Sequence, residues 1–132
     1  MSALSPGLWA VSGARPAAEI AADARRRGAA VYLLAPAESK AALLDGLAAA
    51  LAFPAWVGRN WDALADALRD LSWLPARPHV LVWAGPERLR DAQPAAYDTA
   101  LQVLGEAADA SAGTGRPLTV LLVPDRPGPT AG

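Results

Sequence analysis

At 132 residues, with 53% apolar and 19% charged side chains, the chain has the length and composition of one soluble globular domain, neither disordered nor fibrous. Lysine and arginine total 12 against 13 aspartates and glutamates, and a net charge of -1 argues against a general nucleic-acid binder and leaves the sign of charge to be read locally. The absence of cysteine excludes disulfides, thiolate nucleophiles and cysteine metal sites.

The opening MSALSPGLWAVSG lacks the basic and apolar regions of a signal peptide, and no apolar run reaches the length of a membrane span. A cytoplasmic protein without membrane contact is expected. Gly7 to Val11 is a short apolar run, and Ser12 to Pro16 reads as a turn that places Pro16 early in a helix. That helix covers Ala17 to Arg27, with Arg25, Arg26 and Arg27 in its last turn and Gly28 as its stop. The three arginines suit the negative end of the helix dipole, and a basic contact patch is the competing reading.

Ala29 to Leu34 is continuously apolar over strand length, which predicts a parallel strand buried on both faces. Pro36 ends it, Ser39 is placed to cap a helix, and Leu43, Leu44, Leu47 and Leu51 mark an apolar stripe along Lys40 to Leu51. A turn built on Pro54 and Gly58 follows. Asn60 then stands where an N-cap belongs, ahead of a helix whose apolar residues Trp61, Leu64, Leu68 and Leu71 keep helical spacing. Trp73 and Pro75 begin its exit.

HVLVW at His79 to Trp83 is a second buried-strand candidate, and AGPERLRDAQP after it is a loop with at most a short helical piece. Ala95 to about Ala110 reads as a helix, Gly113 to Gly115 as a loop, and LTVLLV at Leu118 to Val123 as a third strand. The closing PDRPGPTAG, residues 124–132, has no periodicity and reads as a flexible tail. Strands alternating with helices predict an α/β layer architecture with a small, mainly parallel sheet of three to four strands, the fourth being Gly7 to Val11 at a sheet edge.

Asp62, Asp66 and Asp70 recur every fourth residue, so three carboxylates line one helix face at steps of roughly 6 Å. Like charges at this spacing repel, and the helix dipole favours only Asp62. Either the face is a solvated one, partly neutralised by Arg59 and Arg69, or it is an acidic surface made for a basic partner.

The run PAWVGRNWDALADAL resembles the signature segment of the barstar family, the inhibitors of barnase-type ribonucleases. In that family a Pro-aromatic-x-Gly-x-Asn turn leads into a helix with aspartates four residues apart, and Pro54, Trp56, Gly58, Asn60, Asp62, Ala63, Leu64, Asp66 and Leu68 match it. The resemblance covers Ala29 to Val123 and leaves residues 1–28 as an amino-terminal strand-helix extension packed on the same domain. It implies a three-stranded parallel sheet backed by helices, and a monomer that blocks a basic ribonuclease or related nuclease toxin without chemistry or cofactor of its own and without touching nucleic acid directly.

By the same resemblance Asp66 is the central contact, Asp62 its neighbour one turn earlier, and Trp56 stands in place of a contact tyrosine. Gly58 and Asn60 shape the turn, Asp70 extends the acidic face, and LQVLGEA from Leu101 puts Glu106 where a further acidic contact is expected. Arg59 replaces an acidic residue of the family, Ala65 and Leu71 stand at tryptophan positions, and roughly three extra residues precede HVLVW in that alignment. A different cognate toxin would fit these changes.

Other chemistries have thinner support. His79, the only histidine, opens a strand and has no cysteine to activate, so it reads as a strand-end residue rather than a catalytic one. The aspartate ladder could face a hard cation, but helical metal sites recruit carboxylates from two facing helices. The competing functions are a metal-dependent enzyme on phosphorylated substrates and an acidic interaction module for a non-nuclease partner. Trp61 and Trp83 are expected in the core, and Trp56 in contact with a partner.

Overall fold

A computed structural model describes residues 5–11 and 15–125. Its elements, in chain order, are β1 (Gly7–Ala10), α1 (Ala17–Arg26), β2 (Ala30–Leu34), α2 (Lys40–Ala50), α3 (Trp61–Asp70), β3 (His79–Ala84), α4 (Glu87–Ala92), α5 (Pro94–Ala110) and β4 (Leu118–Val123). The strands form one sheet in the order β1-β4-β3-β2, and every pairing is parallel. Most of the turn expected at Ser12 to Pro16, and residues 126–132 of the expected tail, lie outside the described residues.

Strand periodicity splits the core in two. Leu81, Trp83, Leu118, Val120 and Leu122 face one layer with Leu43, Leu47, Leu64, Leu68 and Leu104, while Val80, Val82, Leu121 and Val123 face Ile20, Ala21 and Ala24 of α1. The continuous apolar runs of β3 and β4 thus have the cause read from them: helices cover both faces. For β2 the outcome differs, because it is the edge strand. Only Leu34 is fully buried there, and Leu33 is 46% exposed, since no further strand flanks it.

The fourth strand lies at the other edge, against β4, so α1 connects the two outermost strands across the sheet. Between β3 and β4 the loop expected after Trp83 contains a helix, α4, of six residues, and α5 begins one residue before Ala95 with Pro94 at its start. Proline suits that position because its missing N–H has no helical partner there. Gly85, at φ +61, could not bear a side chain, since a Cβ would lie 2.9 Å from Asp125 Cβ and 3.0 Å from Pro36 Cγ.

Candidate partner-binding site

The helix α3 is fixed from its start. Asn60 Oδ1 accepts the Ala63 N–H at 2.8 Å, satisfying one of the free amides of the first turn. Leu64, Ala67 and Leu68 bury one side, which turns Asp62, Asp66 and Asp70 outward. The helix stops at Leu71, a buried residue in the left-handed region at φ 46.

The turn before α3 is packed onto it. Val57 is buried and donates its N–H to the Pro54 carbonyl at 3.1 Å, and a Cβ on Gly58 would lie 3.2 Å from Asn60 Nδ2 and 3.6 Å from Ala63 Cβ. Glycine is needed here for close approach rather than for an unusual φ. Trp56 is left 75% exposed. Its ring meets Trp73 edge-on at 6.5 Å, Trp73 meets Phe53 edge-on at 5.8 Å, and Trp73 Nε1 donates to the Leu51 carbonyl at 3.0 Å. An exposed indole is thereby held against a buttressed ring.

Trp56, Val57, Gly58, Ala63, Asp66, Ala67 and Asp70 line a groove of about 310 Å³ with one aromatic wall and two carboxylates. Asp66 is 83% exposed at its side chain, and among the described residues its one ion pair is a long one to Arg69, at 3.9 Å. Asp70 accepts from Ser72 Oγ at 3.1 Å. Arg59, expected to neutralise this face, turns away from it: its Nε donates to Asp45 on α2 at 3.0 Å and its Nη1 to the Val57 carbonyl at 3.2 Å. Asp45 outcompetes the ladder because the turn carries Arg59 toward α2, so the acidic face keeps most of its charge.

A family model described as Barstar (barnase inhibitor) matches residues 30–123. The chain belongs to the barstar family. No curated protein matches it. The barstar match opens on the first residue of β2 and closes on the last of β4, so β1 and α1 lie outside it.

Within the barstar match, Glu106 is exposed on α5, where it accepts from Gln102 Nε2 at 3.2 Å. It does not line the groove, although α5 packs beside α3. Trp61 is half-buried against the core with Lys40 Nζ 5.3 Å from its ring centroid, and Trp83 is wholly buried. Among the described residues no three His, Cys, Asp or Glu side chains are grouped to hold a metal ion, and no helix is long and apolar enough to cross a membrane.

His79 is buried between two partners. Its Nε2 lies 2.9 Å from the Pro75 carbonyl, which can only accept, so Nε2 carries the proton and Nδ1 accepts the Tyr32 hydroxyl at 2.9 Å. Burial pushes the His79 pKa below its ordinary value; the Pro75 bond opposes this, and Arg116 and Arg77 add to the lowering. The imidazole pins the exit of α3 to β3.

Sequence reasoning missed Val57, Ala63 and Ala67 as groove walls, and a second hollow of about 390 Å³ between the ends of α3 and α5, lined in part by Arg69, Asp70, Ala107 and Arg116. Alanine and valine carry no chemical signal, and the hollow joins residues far apart in the chain.

Proposed function

We propose that this protein inhibits a barnase-type ribonuclease by laying the exposed face of α3 and the Trp56 turn over the enzyme's active site. The observation that carries this reading is the groove itself, in which a buttressed, solvent-exposed tryptophan stands beside two carboxylates, that of Asp70 and that of Asp66, whose one ion pair among the described residues is the long one to Arg69. A site that cleaves RNA must be basic to hold phosphates, and carboxylates on a rigid helix can occupy the phosphate positions. Blockade needs no bond making and no cofactor.

In this reading Asp66 is the central contact, with Asp62, Asp70 and Trp56 around it, Gly58 and Asn60 shaping the turn, and Glu106 on α5 as an outlying contact. Opposite fields accelerate encounter and desolvated charge pairs slow dissociation; the barnase–barstar pair is itself the reference example of both effects. The inhibitor acts as a cytoplasmic monomer that protects the cell making the nuclease.

The test is a ribonuclease assay with barnase-type enzymes and any toxin encoded beside the gene, titrating wild type and Asp66→Ala in parallel. Inhibition by wild type that the variant loses supports the reading. No inhibition of any nuclease would point to an acidic interaction module whose partner lies outside the nucleases.

A further inference from the structure

The end of the molecule where the strands begin has the opposite charge. Arg25 and Arg27 close α1, Arg77 stands two residues before β3, and Arg116 two residues before β4. Ala30 is level with His79, and His79 with Leu118, so Gly28, Arg77 and Arg116 precede one common level on three adjacent strands. Neighbouring strands lie about 4.8 Å apart, and the arginines therefore form a row across the sheet end. Arg77 Nη2 donates to the Gly28 carbonyl at 2.7 Å, which joins it to the end of α1, and Arg116 Nε donates to the Leu74 carbonyl at 3.0 Å.

None of these four arginines makes an ion pair with a carboxylate among the described residues, whereas Arg26, Arg69, Arg88 and Arg90 each do, and Arg27 reaches Asp23 only through its field. Asp23, the carboxylate on α1 closest in sequence, is taken by Arg26 at 2.6 Å and Arg15 at 3.6 Å. Asp70 borders the row only at Arg116. A guanidinium has five N–H donors, and Arg77 and Arg116 commit one each, so both are anchored and still able to donate.

We propose that this row is a binding surface for the phosphodiester backbone of a single-stranded nucleic acid. Counterion release chooses this occupant over an acidic protein patch. Solvent-exposed pairs with a protein's carboxylates are individually weak, and they gain strength only where a shape-matched contact desolvates them, as proposed for the α3 groove. A polyphosphate adds the release of its condensed counterions. A bilayer fits less well, because the residues flanking the row, Pro75, Ala76 and Pro78, include no large apolar side chain to insert. Contacts to phosphates carry no sequence information, so binding is indifferent to base sequence. The net charge of -1 masks this surface because the acidic face balances it.

The experiment is fluorescence anisotropy with labelled uridine and thymidine oligonucleotides of about 20 residues, beginning at about 20 mM salt, where phosphate contacts are strongest. Wild type should bind both, with log K falling against log salt at a slope of roughly -3, the value for about four phosphates on a single strand. Arg25→Gln with Arg27→Gln, which removes no side-chain hydrogen bond of the fold, should weaken binding at least about tenfold while the chain still unfolds cooperatively, its melting temperature lowered only slightly by the lost favourable charges at the helix end. Asp66→Ala should bind as well as wild type. The proposal is overturned if wild type fails to bind at the lowest salt, if the double variant binds equally, or if phosphatidylserine vesicles are bound and oligonucleotides are not. Nuclease inhibition is read in a separate assay, so either result there leaves this test intact.

Discussion

The helices α2 and α3 follow one another in the chain, have nearly equal length and are capped in the same way, yet they end in opposite roles. Ser39 Oγ accepts the Ala42 N–H at 3.1 Å, and Asn60 Oδ1 accepts the Ala63 N–H at 2.8 Å. Both helices bury a leucine stripe in the same layer. What differs is the outward side, where α2 shows mostly alanine and α3 shows Asp62, Asp66 and Asp70. Anchoring and contact are thus separable on one helix. The inward stripe sets where α3 sits, and the outward ladder, which costs stability through repulsion, is left facing outward, where the proposed function has it meet the nuclease.

The strongest way to break the comparison is to attack the shared anchor. Leu47→Ala in α2 should lower stability by about 2–5 kcal/mol in a denaturant titration, because Leu47 is fully buried, while the molecules that remain folded inhibit as wild type does. A large loss of inhibition at full folding would show that α2 also makes contact. Next comes the outward face. Asp66→Ala should weaken nuclease binding by at least about 2 kcal/mol, the general hot-spot threshold to which the barstar family is itself a contributor, with the melting temperature unchanged or slightly raised. A collapse of stability would make Asp66 structural.

The caps sharpen the contrast further. Ser39→Ala and Asn60→Ala should each cost about 1 kcal/mol of stability. Only the Asn60 variant should also slow or weaken nuclease binding, since its turn forms the groove wall; equal binding losses would erase the distinction between the helices. The smallest expected effect lies at the α3 exit. Because burial lowers the folded-state pKa of His79, the unfolded chain takes up the proton first as pH falls. The stability contributed by the neutral imidazole is therefore complete above its ordinary value of 6.5 and is lost as pH drops below that. Thermal melts from neutral pH to about pH 5 should show this decline in wild type and a flatter profile in His79→Gln. A wild-type melting temperature that holds constant over that window would contradict it.

How far the molecule was legible depends on the range of the forces involved. Caps and apolar spacing act within one helix turn, so Ser39, Asn60 and the stripes of α2 and α3 could be read directly, as could the runs of β3 and β4. The edge position of β2 could not, because a strand's exposure depends on which strand comes to lie beside it, and nothing within AVYLL encodes that. The same holds for Arg59, whose choice of Asp45 over the acidic ladder depends on how the turn packs between two helices.

The amino-acid sequence by itself determined the α/β alternation, the capped acidic helix with its preceding turn, and the resemblance that placed the chain among the barstars, since all of these are local patterns of residue type and spacing. Tertiary structure alone decided that β1 closes the β4 edge, that Trp56 is held exposed beside Asp66 and Asp70, and that arginines from α1, β3 and β4 approaches share one end of the sheet. These depend on contacts between residues far apart in the chain, whose geometry is set by packing and parallel register.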